Sequence, residues 1–291
     1  MDAERKLTEF INTDIKIEQT IIHGVRINYV VAGSGPTVLL LHGANIGWGQ
    51  WYLNIAALAQ HFTVYAIDLP GAGGSDKLAF RVCDLEKDFV DIVDAFVKDR
   101  KLTKIHIVGH SFGGWIALKL ALKAVTYLDK IVLVDSLGFT NYMPRKYRLI
   151  SIRFFAMFLS KTVMKPTKEN MKEFLADVMY DVSALKAEFV EYFHEGIHKE
   201  RLSHPFMLIN RLSGLFKMNN ELLLVDQFWK IDRPTLLIMG EKDPLIPLAK
   251  VSKVANLIRG VQLEVFSKTG HAPSIEKSTQ FNEMVVKFLH I

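Results

Sequence analysis

The chain has 291 residues, 49% of them hydrophobic and 23% charged, with a formal net charge of +5. Those fractions suit a soluble globular protein and exclude a disordered, collagen-like or low-complexity chain. A single cysteine, Cys83, excludes an intrachain disulfide and fits a reducing, cytoplasmic setting.

The segment Met1 to Lys6 leads into no apolar run, so no signal peptide is expected. No stretch reaches the roughly 18 consecutive apolar residues that a membrane span needs. Ile15 to Ile22 and Val25 to Val31 read as two strands joined at Gly24. Thr37 to Leu41, Thr63 to Ala66, Ile105 to Val108 and Ile131 to Val134 follow as short aliphatic strands, the kind found in a sheet covered on both faces. Leu85, Phe89, Ile92, Val93 and Phe96 recur at helical spacing, and Ser111 to Lys123 is a second helix. Residues 140–230 hold no clear strand but several amphipathic helical stretches. Strands return at Pro234 to Met239 and Val261 to Phe266, with helices at Leu248 to Ile258 and Lys277 to His290. Strand and helix in alternation predict an α/β fold with a mostly parallel, eight-stranded sheet. The predicted core is 1–139 plus 231–291, with 140–230 inserted as a helical cap after the sixth strand.

Gly109-His110-Ser111-Phe112-Gly113-Gly114 fits G-x-S-x-G, directly after a strand and at the start of a helix. A serine there sits on a sharp turn that lifts its hydroxyl above the sheet edge, and the glycines keep side chains off the neighbouring backbone. His42-Gly43-Ala44-Asn45 follows the third strand. A loop there can aim the Ala44 N–H at a developing oxyanion, alongside the N–H of Phe112. Asp243 follows the seventh strand within Gly240 to Pro247, and His271 follows the eighth. Ser111, Asp243 and His271 therefore occur in the order serine, acid, histidine, each at the carboxyl edge of the sheet. Asp135, at the end of the sixth strand, is a rival acid. His42 is expected to be a structural hydrogen-bonding group, and His110 to point away from the site.

Taken together, these segments and Asp68-Leu69-Pro70-Gly71-Ala72-Gly73-Gly74-Ser75 resemble an α/β-hydrolase of the branch with a helical cap. The resemblance spans nearly the whole chain. It favours Asp243 over Asp135, because the Asp243 loop matches the family pattern more fully. It implies a serine hydrolase of carboxylic esters with no cofactor and no metal, acting on a small-molecule ester. Serine rather than aspartate at the elbow argues against epoxide hydrolases and dehalogenases. Carbon–carbon hydrolases of ring-cleavage products are similar in cap position. They show H-G-x-G-P-G, G-N-S-M-G-G and a tryptophan after the histidine, and this chain departs from all three. A non-catalytic ligand-binding homologue is the remaining alternative.

Asn45, Phe139, Phe154, Phe155 and Phe158 are the expected substrate contacts. Residues 140–230 carry four of the five net positive charges, seven of the ten methionines and nine of the nineteen phenylalanines. Flexible Met and bulky Phe suit an adaptable apolar pocket wall. Thr140 to Lys165 reads as a basic amphipathic helix, which either packs within the cap with a solvated basic face or makes a weak contact with a membrane surface. So modest a basic excess predicts no nucleic-acid partner. His194-Glu195-Gly196-Ile197-His198 matches H-E-x-x-H, but Gly196 weakens the helix that zinc ligands would need, and surface histidines are the expectation. Gly71-Ala72-Gly73-Gly74 lacks the Lys-Ser/Thr of a phosphate-binding loop.

Overall fold

The computed structural model describes residues 2–78, 83–152, 154–156, 158, 167–199 and 205–290. Strands β1 (Ile15–Ile22), β2 (Val25–Ala32), β3 (Thr37–Leu41), β4 (Thr63–Ile67), β5 (Ile105–His110) and β6 (Leu128–Val134) are followed by a short hairpin, β7 (Ser213–Gly214) and β8 (Lys217–Met218), and then by β9 (Thr235–Gly240) and β10 (Gln262–Phe266). The main sheet has the eight strands that the apolar runs predict, in the order β1-β2-β4-β3-β5-β6-β9-β10. β2 pairs antiparallel with β1 and β4, and the remaining pairs are parallel. The small β7/β8 hairpin is an addition that sequence patterning did not show.

Alternation along the central strands sends successive side chains to opposite faces. Leu39, Leu41, Ile107, Leu133 and Leu237 face one core, covered by α3 (Asp91–Asp99) and α4 (Phe112–Leu122). Val38, Leu40, Val108, Val132 and Ile238 face the other, covered by Trp48, Trp51, α2 (Ile55–Ala59), α9 (Pro273–Glu276) and α10 (Ser278–His290). Both faces are therefore dry, which is why these strands are uninterrupted aliphatic runs.

Three helical stretches differ from expectation: the segment from Thr140, predicted as one amphipathic helix, has no helix before Arg145, is 3-10 over Arg145–Ser151 and turns extended at Ile152. α1 (Asp2–Ile11) precedes the sheet and buries Ala3, Leu7 and Ile11. The stretch predicted as one helix from Leu248 to Ile258 divides into α8 (Leu248–Val251) and a 3-10 turn, Ala255–Leu257. Val254, with φ of −125°, leaves the helical region between them.

Between β6 and β9 run a 3-10 segment, Arg145–Ser151, then α5 (Lys168–Val178), α6 (Ala187–Lys199) and α7 (Pro205–Leu212). Thr167 caps α5 by accepting the Asn170 N–H at 3.1 Å. Glu195 on α6 accepts the Ala3 N–H at 3.0 Å, and Lys6 meets Glu191 at 3.5 Å, so α1 is fastened to α6. Among the described residues, no helix is long and apolar enough to cross a membrane.

Candidate active site

Parallel register brings five strand ends to one edge. Leu41 pairs with Gly109, His110 with Val134, Val134 with Ile238, and Gly240 with Phe266. The loops that leave these ends carry His42 to Asn45, Ser111, Asp135, Asp243 and His271.

Ser111 has φ of 50° and ψ of −111°, a strained setting for a residue with a side chain. Hydrogen bonds hold it there. Its N–H donates to Val134 O at 2.9 Å, and its carbonyl accepts from Leu137 N–H at 3.0 Å and Trp115 N–H at 3.2 Å. Close approach explains the flanking glycines. A Cβ on Gly109 would lie 2.5 Å from Gly113 O, and one on Gly113 would lie 2.3 Å from Leu41 O. The helix α4 that starts here is buried almost all round, so the serine stands on a fixed platform.

His271 and Asp243 form a buried pair, with Nδ1 to Oδ2 at 2.7 Å. The other oxygen of Asp243 accepts the N–H groups of Leu245 and Ile246 at 2.7 and 3.0 Å. The His271 N–H donates to Val178 O at 2.8 Å, at the end of α5. The rival acid, Asp135, does not take the imidazole. Its Oδ1 accepts the Gly240 N–H at 2.9 Å.

The loop after β3 is braced from below. His42 Nε2 accepts the Leu69 N–H at 2.9 Å, and Nδ1 donates to Gly43 O at 2.5 Å. Burial pushes its pKa down to about 4, so the ring is neutral. Gln50 Oε1 accepts the Gly43 N–H at 2.9 Å. Asp68 accepts the Trp48 N–H at 2.6 Å and fixes the far end of the loop. Phe112 buries its ring against Trp115 and Phe89, while its N–H lies in the first turn of α4, where helical N–H groups have no partner within the helix.

A cavity of about 160 Å³ opens over this edge. Ser111, His271, Ala44 and His110 line its floor. The roof comes from the segment after β6 (Tyr142, Met143, Tyr147), from α5 (Leu175, Val178) and from Ile209 of α7. Among the described residues, no Lys, Arg, Asp or Glu lines it. Such a site offers an apolar volume with a few polar groups at one end, which is the usual design of a small-molecule pocket.

The structure does not bring every expected contact to that cavity. Phe139 is buried against Phe228, at a ring separation of 4.7 Å. Phe154, Phe155 and Phe158 are 74%, 42% and 53% exposed and lie outside the lining. The lining instead uses Tyr142, Tyr147 and Phe174. Asn45 is buried behind the lining residues Ala44 and Ile46, with φ of 62°. Three basic residues of the expected amphipathic helix, Arg153, Lys161 and Lys165, lie outside the described residues.

His110 also departs from expectation. It lines the cavity, and its Nε2 donates to His271 O at 2.7 Å. Burial and the neighbouring His271 hold it neutral, well below the usual imidazole range. His110, Asp135 and His271 place side-chain N and O atoms within 4.8 Å of one another. Each has a hydrogen bond already: His271 to Asp243, His110 to the His271 carbonyl and Asp135 to Gly240. Glu195 of the H-E-x-x-H match serves α1 instead, and the His198 side chain lies outside the described set.

Two residues with no motif signal also act on the site. Gln50 orients the β3 loop, and Glu276 gathers backbone N–H groups on either side of His271: Gly270 at 2.9 Å and Ala272 at 3.3 Å.

A family model described as "alpha/beta hydrolase fold" matches residues 36–278. The 2-hydroxy-6-oxo-6-phenylhexa-2,4-dienoate hydrolase of Comamonas testosteroni is 27% identical over 284 residues, which cover 94% of each chain. A meta-cleavage product hydrolase from Pseudomonas fluorescens superposes with a TM-score of 0.78 at 25% identity, covering 94% of this chain and 97% of the other. A carboxylesterase from Bacillus subtilis superposes with a TM-score of 0.80 at 19% identity, covering 99% and 96%.

Proposed function

The chain belongs to the α/β-hydrolase fold family, and from that premise we propose that it is a serine hydrolase of carboxylic esters with an apolar acyl group. The observation that carries this reading is the Asp243-bound His271 in the same apolar cavity as Ser111. His271 Nε2 takes the Ser111 hydroxyl proton as Oγ attacks the ester carbonyl. The N–H groups of Ala44 and Phe112 hold the tetrahedral oxyanion, a contribution of about 3 kcal/mol per donor in comparable sites. The imidazolium, steadied by Asp243, protonates the leaving alcohol. A water then repeats the sequence on the acyl-serine and releases the acid. The strained backbone at Ser111 supports the nucleophile role, since such strain persists where the surroundings enforce it.

A second reading, carbon–carbon bond hydrolysis, is favoured by the Comamonas relative and the Pseudomonas structure. The departures from that class's motifs do not remove it, because a relative of the class aligns over 94% of the chain. The same three residues would serve it. A dienoate, however, carries a carboxylate, and among the described residues no Lys or Arg lines the cavity. That lining supports the ester reading.

The test is a panel of p-nitrophenyl esters of rising acyl length, run beside 2-hydroxy-6-oxo-6-phenylhexa-2,4-dienoate on wild type and Ser111→Ala. Ester turnover and fluorophosphonate labelling, both abolished in Ser111→Ala, are expected. Turnover of the dienoate without ester turnover would put the second reading in its place. A folded protein that turns over neither would be a binding homologue.

A further inference from the structure

Several large apolar residues of the cap face solvent instead of the cavity. Leu149, Phe154, Phe155, Phe158, Leu215 and Phe216 are all exposed. Phe154 and Phe155 meet edge to face, with ring centroids 6.2 Å apart. Leu215 and Phe216 form the two-residue tip of the β7/β8 hairpin. Ser151 joins the two groups. Its Oγ accepts the Phe216 N–H at 3.1 Å, and its carbonyl accepts from the Asn210 side chain of α7 at 3.1 Å.

The hairpin tip is costly in two ways. Tight turns ordinarily take Asn, Asp or Gly, which tolerate positive φ and suit water. Here Phe216 has φ of 58°, a left-handed setting that a bulky side chain resists, and both tip residues present apolar surface to solvent. Strain of this kind is a feature of functional sites, and clustered exposed apolar surface marks an interaction face.

Charge indicates what the face meets. Arg145, Lys146 and Lys217 stand exposed beside it in the chain, with Arg148 half-buried. Lys146 pairs with Asp177 at 3.0 Å, whereas Arg145, Arg148 and Lys217 meet no carboxylate among the described residues. The stretch Thr140 to Lys165 carries six basic residues and no acid. A second copy docked about a two-fold axis would set this basic rim against itself. An anionic bilayer complements it: apolar side chains enter the headgroup boundary while Lys and Arg meet acidic headgroups. The same pieces of chain also roof the cavity, which Tyr147, Ile209 and Met218 line from within.

We propose that this face of the cap docks on an anionic lipid bilayer. The aromatic and aliphatic side chains around the hairpin tip enter the headgroup boundary, the basic rim meets the acidic headgroups, and the roof of the cavity is held against the membrane. Docking does not depend on the triad.

The experiment is co-sedimentation of the full chain with phosphatidylcholine vesicles, with and without phosphatidylserine. Wild type is expected to bind the phosphatidylserine vesicles about tenfold more tightly or better, and to be released as salt rises. Arg145→Gln combined with Lys217→Gln should weaken that binding by on the order of 30-fold. Leu215→Ser combined with Phe216→Gly removes the apolar tip and relieves the positive φ. It is expected to weaken binding about tenfold while the melting temperature is kept, since glycine accepts that backbone setting.

Wild type that stays in the supernatant with phosphatidylserine vesicles at low salt overturns the proposal. A tip variant that binds as tightly as wild type does so too, as does equal binding to both vesicles. A dimer in light scattering that the tip variant dissociates would assign the face to a second copy and likewise overturn it. Ser111→Ala should bind vesicles as wild type does, so loss of the ester-hydrolase reading would leave this result standing.

Discussion

Four backbone N–H groups converge on Glu276. Oε1 accepts from Gly270 and Ala272, on either side of His271, and Oε2 accepts from Tyr180 and Asp181 at 2.9 Å each. One buried carboxylate thus ties the histidine loop to the turn after α5, whose Val178 carbonyl holds the His271 N–H. Charge-assisted bonds of this kind contribute about 1.5 to 3 kcal/mol each. In Glu276→Gln an NH2 group faces two N–H donors, so two of the four bonds are lost. The expected result is a fall in melting temperature and a 10- to 100-fold loss of kcat, since a displacement of about 1 Å at a reacting group costs on that order. KM for a short ester should change little, because Glu276 lies outside the cavity lining. A loss confined to KM would contradict this role. Sequence could not show Glu276, because its partners are backbone groups up to 96 residues away.

At the level of elements, what was legible depended on how much of the fold each pattern reports. The central strands announce themselves because both of their faces are dry. The elbow does so because Gly109 and Gly113 have no room for a Cβ. The cap is different. Phe154, Phe155 and Phe158 lie in an apolar run, but their exposure depends on which way that segment is turned, and local sequence does not encode this. α1 does carry a local signal: Ala3, Leu7 and Ile11 recur every four residues and all are buried. The same reasoning separates two glycines in helices. Gly113→Ala puts a Cβ 2.3 Å from the Leu41 carbonyl and is expected to destabilise the protein by about 1 to 3 kcal/mol and to disturb the elbow. Gly196, on α6, has open space, with Gly73 Cα the nearest atom at 4.0 Å. Gly196→Ala should stabilise by up to about 1 kcal/mol, through helix propensity alone. Denaturant titration of the two variants measures both, and a destabilised Gly196→Ala would contradict the spacing around α6.

For the whole molecule, two buried titratable groups under the same edge set opposing pH dependences. Asp68 is completely enclosed and accepts from Trp48 N–H, Gly74 N–H and the Asn28 amide at 2.6 to 2.8 Å. Burial nonetheless pushes its pKa up from 3.8 to about 7. Between those two values the folded state binds more protons than the unfolded state, so stability falls as pH rises through that window. His42 is shifted the other way, from 6.5 to about 4, again by burial. Across its window the unfolded state binds more protons, so stability rises with pH. Each shift corresponds to a few kcal/mol, on the order of 1.4 per unit, and the windows overlap between about pH 4 and 6.5. The wild-type profile should therefore be flatter there than either group alone would make it. Asp68→Asn removes the falling component. Its overall stability should drop, because the amide cannot accept on both sides. Its slope between pH 4 and 6.5 should become clearly more positive than that of wild type. Urea titrations at half-unit pH intervals give both quantities. Parallel wild-type and Asp68→Asn profiles would mean that Asp68 titrates alike in the folded and unfolded chains, contrary to its burial between the β3 loop and Tyr192 of α6.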